Sequence, residues 1–350
     1  MTNTMQGPGI MLAQFLRDDE PFNNLESIGR WVASLGYKAI QVPSWDARVF
    51  DLDRAAESQD YCDDVRGRLQ ELGLEISELS AHLQGQVLAI HPAYEMAFQP
   101  FYPDGLKDQA RAAWASGELE KAVIASHRLG LTSVPVLSGG FAWHMAYPWP
   151  QRPEGLIDES FRELYQRWKP ILDLATDKGQ VLTYELHPGS DLYDGATFER
   201  FLDISGNHPA ACILYDPSHF LLQQLDYLQF IERYGDRIKA FHVKDAEFNP
   251  TGRVGVYGGY QSWAGRAGRF RSLGDGQIDF KRVFTLLAEQ GYDGWAVLEW
   301  ECCVKSPEQG AREGAPFIAR HLIEKTEFAF DDFAGGHTDA ERNRKILGLS

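Results

Sequence analysis

The sequence predicts an α/β fold closed into a single (β/α)8 barrel, the TIM-barrel architecture, and three observations carry that expectation. Short apolar runs alternate with longer amphipathic segments between residues 10 and 329, with no spare strand pattern between them. Such a rhythm belongs to a parallel sheet covered by helices. The last four apolar runs each end in a cation-binding group: VLTYELH with Glu185, ACILYDPSH with Asp216, IKAFHVKD with His242 and WAVLEWE with Glu299. A ring of strands brings four such ends to one rim however far apart they lie in the chain. No Gly-rich GxGxxG or GxxxxGKS turn occurs, which argues against the open doubly wound sheet and its phosphate-cradling first turn.

Taken in order, the first strand is expected at 10–15, before a helix at 25–35 that begins near Asn23–Glu26 and ends at Gly36. The second, at 38–42, leads past SWDARVFD to a helix at 58–72. The third, at 75–83, runs on into QGQ and a long connection to a helix at 106–129. The fourth, at 133–137, ends in SGG, and the loop FAWHMAYPWPQRPEG precedes a helix at 157–178. Strands five to eight are expected at 181–187, 211–216, 238–243 and 295–301, with helices at 196–204, 227–234, 280–290 and 311–329. Val42, Val136, Leu182, Ile213, Phe241 and Val297 are expected to be barrel core. Residues 10–329 thus read as one catalytic domain, and 330–350 as a C-terminal extension serving as a strap or an oligomer contact.

One stretch breaks the rhythm. Residues 249–278, after strand seven, carry four aromatics and four arginines among many glycines. On the active-site face of a barrel, such an insertion is expected to be an ordered lid.

Bulk properties narrow the chemistry. A formal charge of −16 over 350 residues speaks against a nucleic-acid partner. No run approaches the roughly 18–20 apolar residues of a membrane span, and the N-terminus lacks a secretory pattern, so a cytoplasmic protein is expected. Cys62, Cys212, Cys302 and Cys303 have no CxxC spacing and read as reduced thiols. Three carboxylates with one imidazole suit manganese or magnesium better than copper, with zinc as a further candidate. His82, Gln84, His144, His187 and Lys244 are candidates to bind the hydroxyls of a small sugar substrate, and Trp45, Trp143 and Trp263 to stack on its ring or aglycone. A homo-oligomer stays open.

ELHPG with Glu185, YDPSH with Asp216 and His219, FHVKD with His242, GDGQIDF at 274–280 and VLEWE with Glu299 together resemble the xylose isomerase-like TIM-barrel superfamily. The likeness lies with its sugar phosphate isomerase/epimerase branch of ketose 3-epimerases and inosose dehydratases, covers most of 10–329 and is strongest over 181–301. It implies one divalent ion, manganese foremost, held by Glu185, Asp216, His242 and Glu299. It also implies that Glu185 and Glu299 transfer the proton, that His219 contacts substrate oxygens, and that Asp191 stands where the epimerases place a substrate-fixing glutamate. The epimerase arginine expected soon after His242 is absent, Phe248 lying in that area; Arg253, Arg266, Arg269 and Arg271 of the insertion are its candidate replacements, Arg266 being the one carried forward. The superfamily's DNA-cleaving branch is disfavoured by the acidic charge. The resemblance therefore points to a metal-dependent keto-sugar isomerase or epimerase, with a lyase acting on a 3-keto glycoside or inosose as runner-up and a carbohydrate-binding module third.

Overall fold

The computed structural model describes residues 4–324 and 339–349. Its strands, in chain order, are β1 (Gln6–Met11), β2 (Ala39–Pro43), β3 (Glu75–Ser80), β4 (Ser133–Val136), β5 (Val181–Glu185), β6 (Ala211–Tyr215), β7 (Ile238–Val243), β8 (Asp245–Phe248), β9 (Gly268–Arg271) and β10 (Trp295–Leu298). Eight form one parallel sheet in the order β3-β2-β1-β10-β7-β6-β5-β4. The edge strands β3 and β4 meet where the Ala81 N–H donates to the Pro135 carbonyl at 2.8 Å, so the sheet is a nearly closed barrel. All six apolar positions expected in the core are buried.

Expectation and structure agree closely where the apolar pattern is strong. The helices at Leu25–Ser34, Asp108–Arg128, Leu156–Asp177 and Tyr227–Tyr234 lie within about two residues of the reading. Asn24 caps the first of these by accepting from the Ser27 N–H at 2.9 Å, which meets one of the four unpaired donors every helix start presents.

The departures have physical reasons. β1 begins at Gln6 rather than residue 10, because Gly7, Pro8 and Gly9 hide a strand from any propensity argument. β3 stops at Ser80 and the chain turns into a helix at His82–Leu88. The last barrel helix spans Pro307–Ala319 instead of starting at 311, its first turn capped by Ser306; residues 325–329 of the expected helix lie outside the described residues. Of the C-terminal extension, 330–338 also lie outside them, and Ala340–Ile346 forms a short exposed helix.

A further correction concerns the insertion. β8 and β9 pair antiparallel as a separate ribbon, Asp245 opposite Arg271 and Phe248 opposite Gly268. Glu247 ties the ribbon together by accepting from Arg269 at 2.5 Å and Arg271 at 2.8 Å. The expected lid is thus a loop of residues 249–267 carried on a two-stranded stem. Asp245 fixes the far end of the stem, its carboxylate accepting from the N–H groups of Gly274 and Gly276 at 2.9 and 3.0 Å. Among the described residues, no helix is long and apolar enough to cross a membrane.

Candidate metal centre

β5, β6, β7 and β10 deliver Glu185, Asp216, His242 and Glu299 to one point. Each offers a ligand atom within 4.8 Å of the other three, and all four residues are buried. Asp216 is used twice. Its Oδ1 caps the helix Pro217–Gln223 by accepting from the Ser218 N–H at 2.8 Å. Its Oδ2 is left toward the quartet, and this atom and Glu185 Oε1 are buried without a hydrogen-bond partner. Uncompensated buried oxygens are costly. The Lys244 ammonium stands among these acids, 3.0 Å from Glu299 Oε2, 3.4 Å from Asp216 Oδ2 and 3.3 Å from Glu301 Oε2. Orphaned acceptors, attraction of positive charge and an oxygen-rich donor set all fit a hard divalent cation.

Electrostatics divides the acids. Burial pushes the Asp216 carboxyl up to about 8, with the charges of Glu185 and Glu299 adding to the shift against Lys244. Burial also opposes ionisation of Glu185, yet the close approach of His219, His242 and His82 and the charge of Lys244 hold it well below the usual carboxylate range. Glu299 is lowered to about 2: burial and Glu185 push it up, and Lys244 and His242 outweigh them. His242 behaves reciprocally, burial disfavouring its charge while Glu299 and Glu185 raise it to about 10. Burial together with Lys244 drives His219 down to about 3, so its imidazole is neutral at pH 7. The site therefore keeps two ionised glutamates beside a neutral imidazole.

Above the quartet opens a cavity of about 700 Å³. His82, Glu185, His187, His219, Lys244, Arg266 and Glu299 all line it, as do Trp45, Trp143 and Trp263. His82 Nε2 lies 3.2 Å from Glu185 Oε2 and His219 Nε2 3.3 Å from Glu185 Oε1. Paired rings build the walls: Trp143 with Tyr193 at 5.2 Å, Trp263 with Phe270 at 4.8 Å, and Tyr147 with Tyr257 at 5.7 Å joining the β4 loop to the insertion. Arg266 lies 5.0 Å from the Trp263 ring at this rim. A second cavity of about 580 Å³ opens at the opposite end of the barrel, beside Glu75, Ser77 and Asp236, the end that serves stability in such folds.

Three expected substrate contacts lie elsewhere. Gln84 follows His82 on a helix, not a strand, so two residues' separation turns it away from the mouth; its amide donates to Ser44 Oγ at 2.9 Å. His144 packs its ring on His91 at 3.9 Å, while its neighbour Trp143 faces the cavity. Asp191 is a loop pin. Its carboxylate accepts from the Phe141 N–H at 2.8 Å, the Ala142 N–H at 3.0 Å and Ser160 Oγ at 3.3 Å. Gly140 makes room for it, since an added Cβ would sit 2.8 Å from Asp191 Oδ1. Asp191→Ala is expected to destabilise the fold by about 2–3 kcal/mol by leaving those donors unpaired, without abolishing divalent-ion binding. Urea denaturation and metal titration of the variant check both halves.

Several residues of the site escape sequence reasoning. Gln14 Nε2 donates to Glu299 Oε1 at 3.1 Å from the loop after β1, and Glu301 stands beside Lys244. Gln41 and Glu78 lie under the quartet, inside the barrel. The inward alternation of β2 and β3 was the one available signal, and a short strand rich in apolar residues masks it.

Comparison with known proteins agrees with this fold. Residues 30–321 match a family model described as a xylose isomerase-like TIM barrel. The chain belongs to that family. It is 31% identical over 169 residues to an inosose dehydratase of Bacillus licheniformis, a match covering 47% of this chain and 56% of the relative. The match therefore spans about half the length of that curated protein. In overall fold it is similar to the 3-keto-D-glucoside 4-epimerase YcjR of E. coli, with a TM-score of 0.61 and 15% identity over 89% of this chain and 98% of the other. It is also similar to the probable 3-DHS dehydratase AsbF of Bacillus anthracis, with a TM-score of 0.62 and 13% identity over 90% and 99% of the two chains.

Proposed function

We propose that the protein is a divalent-metal-dependent isomerase or epimerase that removes a proton next to the carbonyl of a keto sugar or sugar derivative. The observation that carries this reading is the pair of buried glutamates, Glu185 and Glu299, held ionised within one four-residue ligand set. Glu185, Asp216, His242 and Glu299 would hold the ion, manganese foremost with magnesium or zinc as alternatives. When bound, it supplies polarisation of the substrate's carbonyl oxygen, which acidifies the neighbouring C–H.

The protein's own residues do the rest. Glu185 is held by His82 at Oε2, and Glu299 by Gln14 at Oε1 and by Lys244 and His242 at Oε2. These contacts fix both carboxylates in orientation, as proton transfer over hydrogen-bond distance requires. One glutamate takes the α-proton, and the other delivers to the opposite face a proton it has first drawn from a substrate hydroxyl. The first then returns its proton to that oxygen, so the carbon is inverted and both carboxylates end ionised. Neutral His219 and the Lys244 ammonium, 3.2 Å apart, offer hydrogen bonds to sugar oxygens. His187 lines the same wall with its ring 4.9 Å from that of His219. Arg266 and the aromatic rings of the insertion close the mouth and exclude water from the ionised pair. All four cysteines are unpaired, which fits a reducing, cytoplasmic setting.

A second reading is elimination, by a lyase acting on a 3-keto glycoside or inosose. The aromatic walls favour it, because they extend well beyond the ligand set and suit a substrate with a group attached to the sugar. The inosose dehydratase relatives also support it. A carbohydrate-binding module would have no use for two buried ionised carboxylates.

Incubation with ketohexoses, inososes and 3-keto glycosides in deuterated water, followed by NMR, separates these outcomes. Deuterium at an inverted α-carbon is the expected result. An enone or a released aglycone assigns the lyase. Conversion without label points to a hydride shift and removes the glutamates from their role as bases.

A further inference from the structure

The buried polar residues beneath the ligand set do not touch the mouth cavity, and the proposed chemistry leaves them unused. His242 faces the quartet with Nδ1, which lies 2.9 Å from Glu299 Oε2 and 3.7 Å from Glu185 Oε1. Its other nitrogen, Nε2, points down into the barrel and meets Gln41 Oε1 at 3.1 Å. Gln41 in turn donates from Nε2 to Glu78 Oε2 at 3.2 Å. Gln41 and His242 are fully buried and Glu78 nearly so. Gln41 comes from β2 and His242 from β7, strands separated by β1 and β10 in the sheet, so this contact crosses the barrel interior.

We infer that Gln41, oriented by Glu78, is a positioning residue that fixes which nitrogen of His242 is offered to the cation. An imidazole can bind an ion through Nδ1 only if that nitrogen carries no hydrogen, which requires the hydrogen to sit on Nε2. A carboxamide beneath Nε2 can enforce this or defeat it. With its oxygen upward it accepts the Nε2 hydrogen, so Nδ1 is the nitrogen that gives up its hydrogen to make way for the ion. With its NH2 upward it donates to Nε2, and the hydrogen moves to Nδ1, where it blocks coordination. The two states differ by a half-turn of the amide. Glu78 breaks the tie, because its Oε2 accepts and so turns the amide NH2 downward. A carboxyl group in a barrel core, where leucine would pack without a polar partner to satisfy, has a reason to be there if it sets this direction.

This inference rests on the metal-centre reading of the proposed function, and its test keeps the two apart. Gln41→Met removes the acceptor at similar volume, and Glu78→Gln is isosteric but no longer dictates the direction of the Gln41 amide. Thermal melting of both is expected to show a folded, cooperative protein. Mn²⁺ titration should then show affinity about 10–100-fold weaker for Gln41→Met and a smaller loss for Glu78→Gln. In Zn²⁺-loaded wild-type protein, ¹H–¹⁵N spectra of labelled histidine should show one His242 Nε2–H resonance protected from solvent exchange. That resonance should be absent or exchange-broadened in both variants. Unchanged Mn²⁺ affinity with the same protected resonance in Gln41→Met overturns the inference and leaves the proposed function standing. Failure of the wild-type protein to bind any divalent ion overturns both. If Gln41→Met does not fold, the isosteric Glu78→Gln decides alone, and wild-type affinity and spectrum there count against the inference.

Discussion

Asp216→Asn and Glu185→Gln are expected to take the protein from about one bound divalent ion to none and to lower turnover by at least about 100-fold, the range for loss of a positioned acid–base group. Both substitutions preserve shape. Asparagine caps helices as well as aspartate does, so the Ser218 contact survives and the loss cannot be ascribed to unwinding of the helix at Pro217–Gln223. Without metal, the asparagine variant should be the more stable protein at alkaline pH. In the fold the Asp216 carboxyl is raised from an ordinary 3.8 to about 8. The folded state therefore holds a proton that the unfolded chain releases, and the stability tied to that proton is lost as pH rises from about 4 to about 8. Asparagine has no proton to lose. Elemental analysis, the deuterium-exchange assay and metal-free melts at pH 6 and 8.5 check all three statements, and full activity in a metal-free sample would end the metal reading.

Shortening the insertion between residues 253 and 265 is the second large effect. It removes Tyr257, which faces Tyr147 of the β4 loop, and Trp263, which packs on Phe270 of the stem, and leaves the β8–β9 stem with Glu247, Arg269 and Arg271 intact. Turnover should fall by about 100-fold or more through loss of water exclusion and closure, while the melting temperature changes little, because the excised residues are mostly exposed. Melting curves alongside steady-state kinetics check this. Parental rates on every substrate of the panel would make the loop mere surface.

How much of this was legible in the sequence varied with the physics of each element. The strands carrying Glu185, Asp216, His242 and Glu299 announce themselves because a strand buried on both faces must be almost wholly apolar, and a single charged residue at its end stands out. The helices were legible from their stripes. The β8–β9 ribbon was not, since DAEF and GRFR derive their pairing from cross-strand ion pairs that no local pattern encodes. His82 faces the mouth cavity and Gln84 does not, for one reason: strand and helix agree about a residue that starts an element and disagree about the residue two further on. Asp191 illustrates another limit. The resemblance puts a substrate-fixing carboxylate at this position, and only the folded structure reveals that backbone N–H groups of the β4 loop have already claimed it. The alternation of β2 and β3 could mark Gln41 and Glu78 as inward-facing but not say why, because their significance lies in a contact across the barrel between strands far apart in sequence.

The divided use of Asp216 has a consequence for how the site assembles. One oxygen begins a helix and the other faces the ligand set, and two residues after the capped Pro217 that same helix presents His219 to Glu185. The pitch of one short helix therefore serves two sides of the site: a substitution at Pro217 or Ser218 that shifts its first turn displaces the Asp216 carboxylate and the His219 imidazole together.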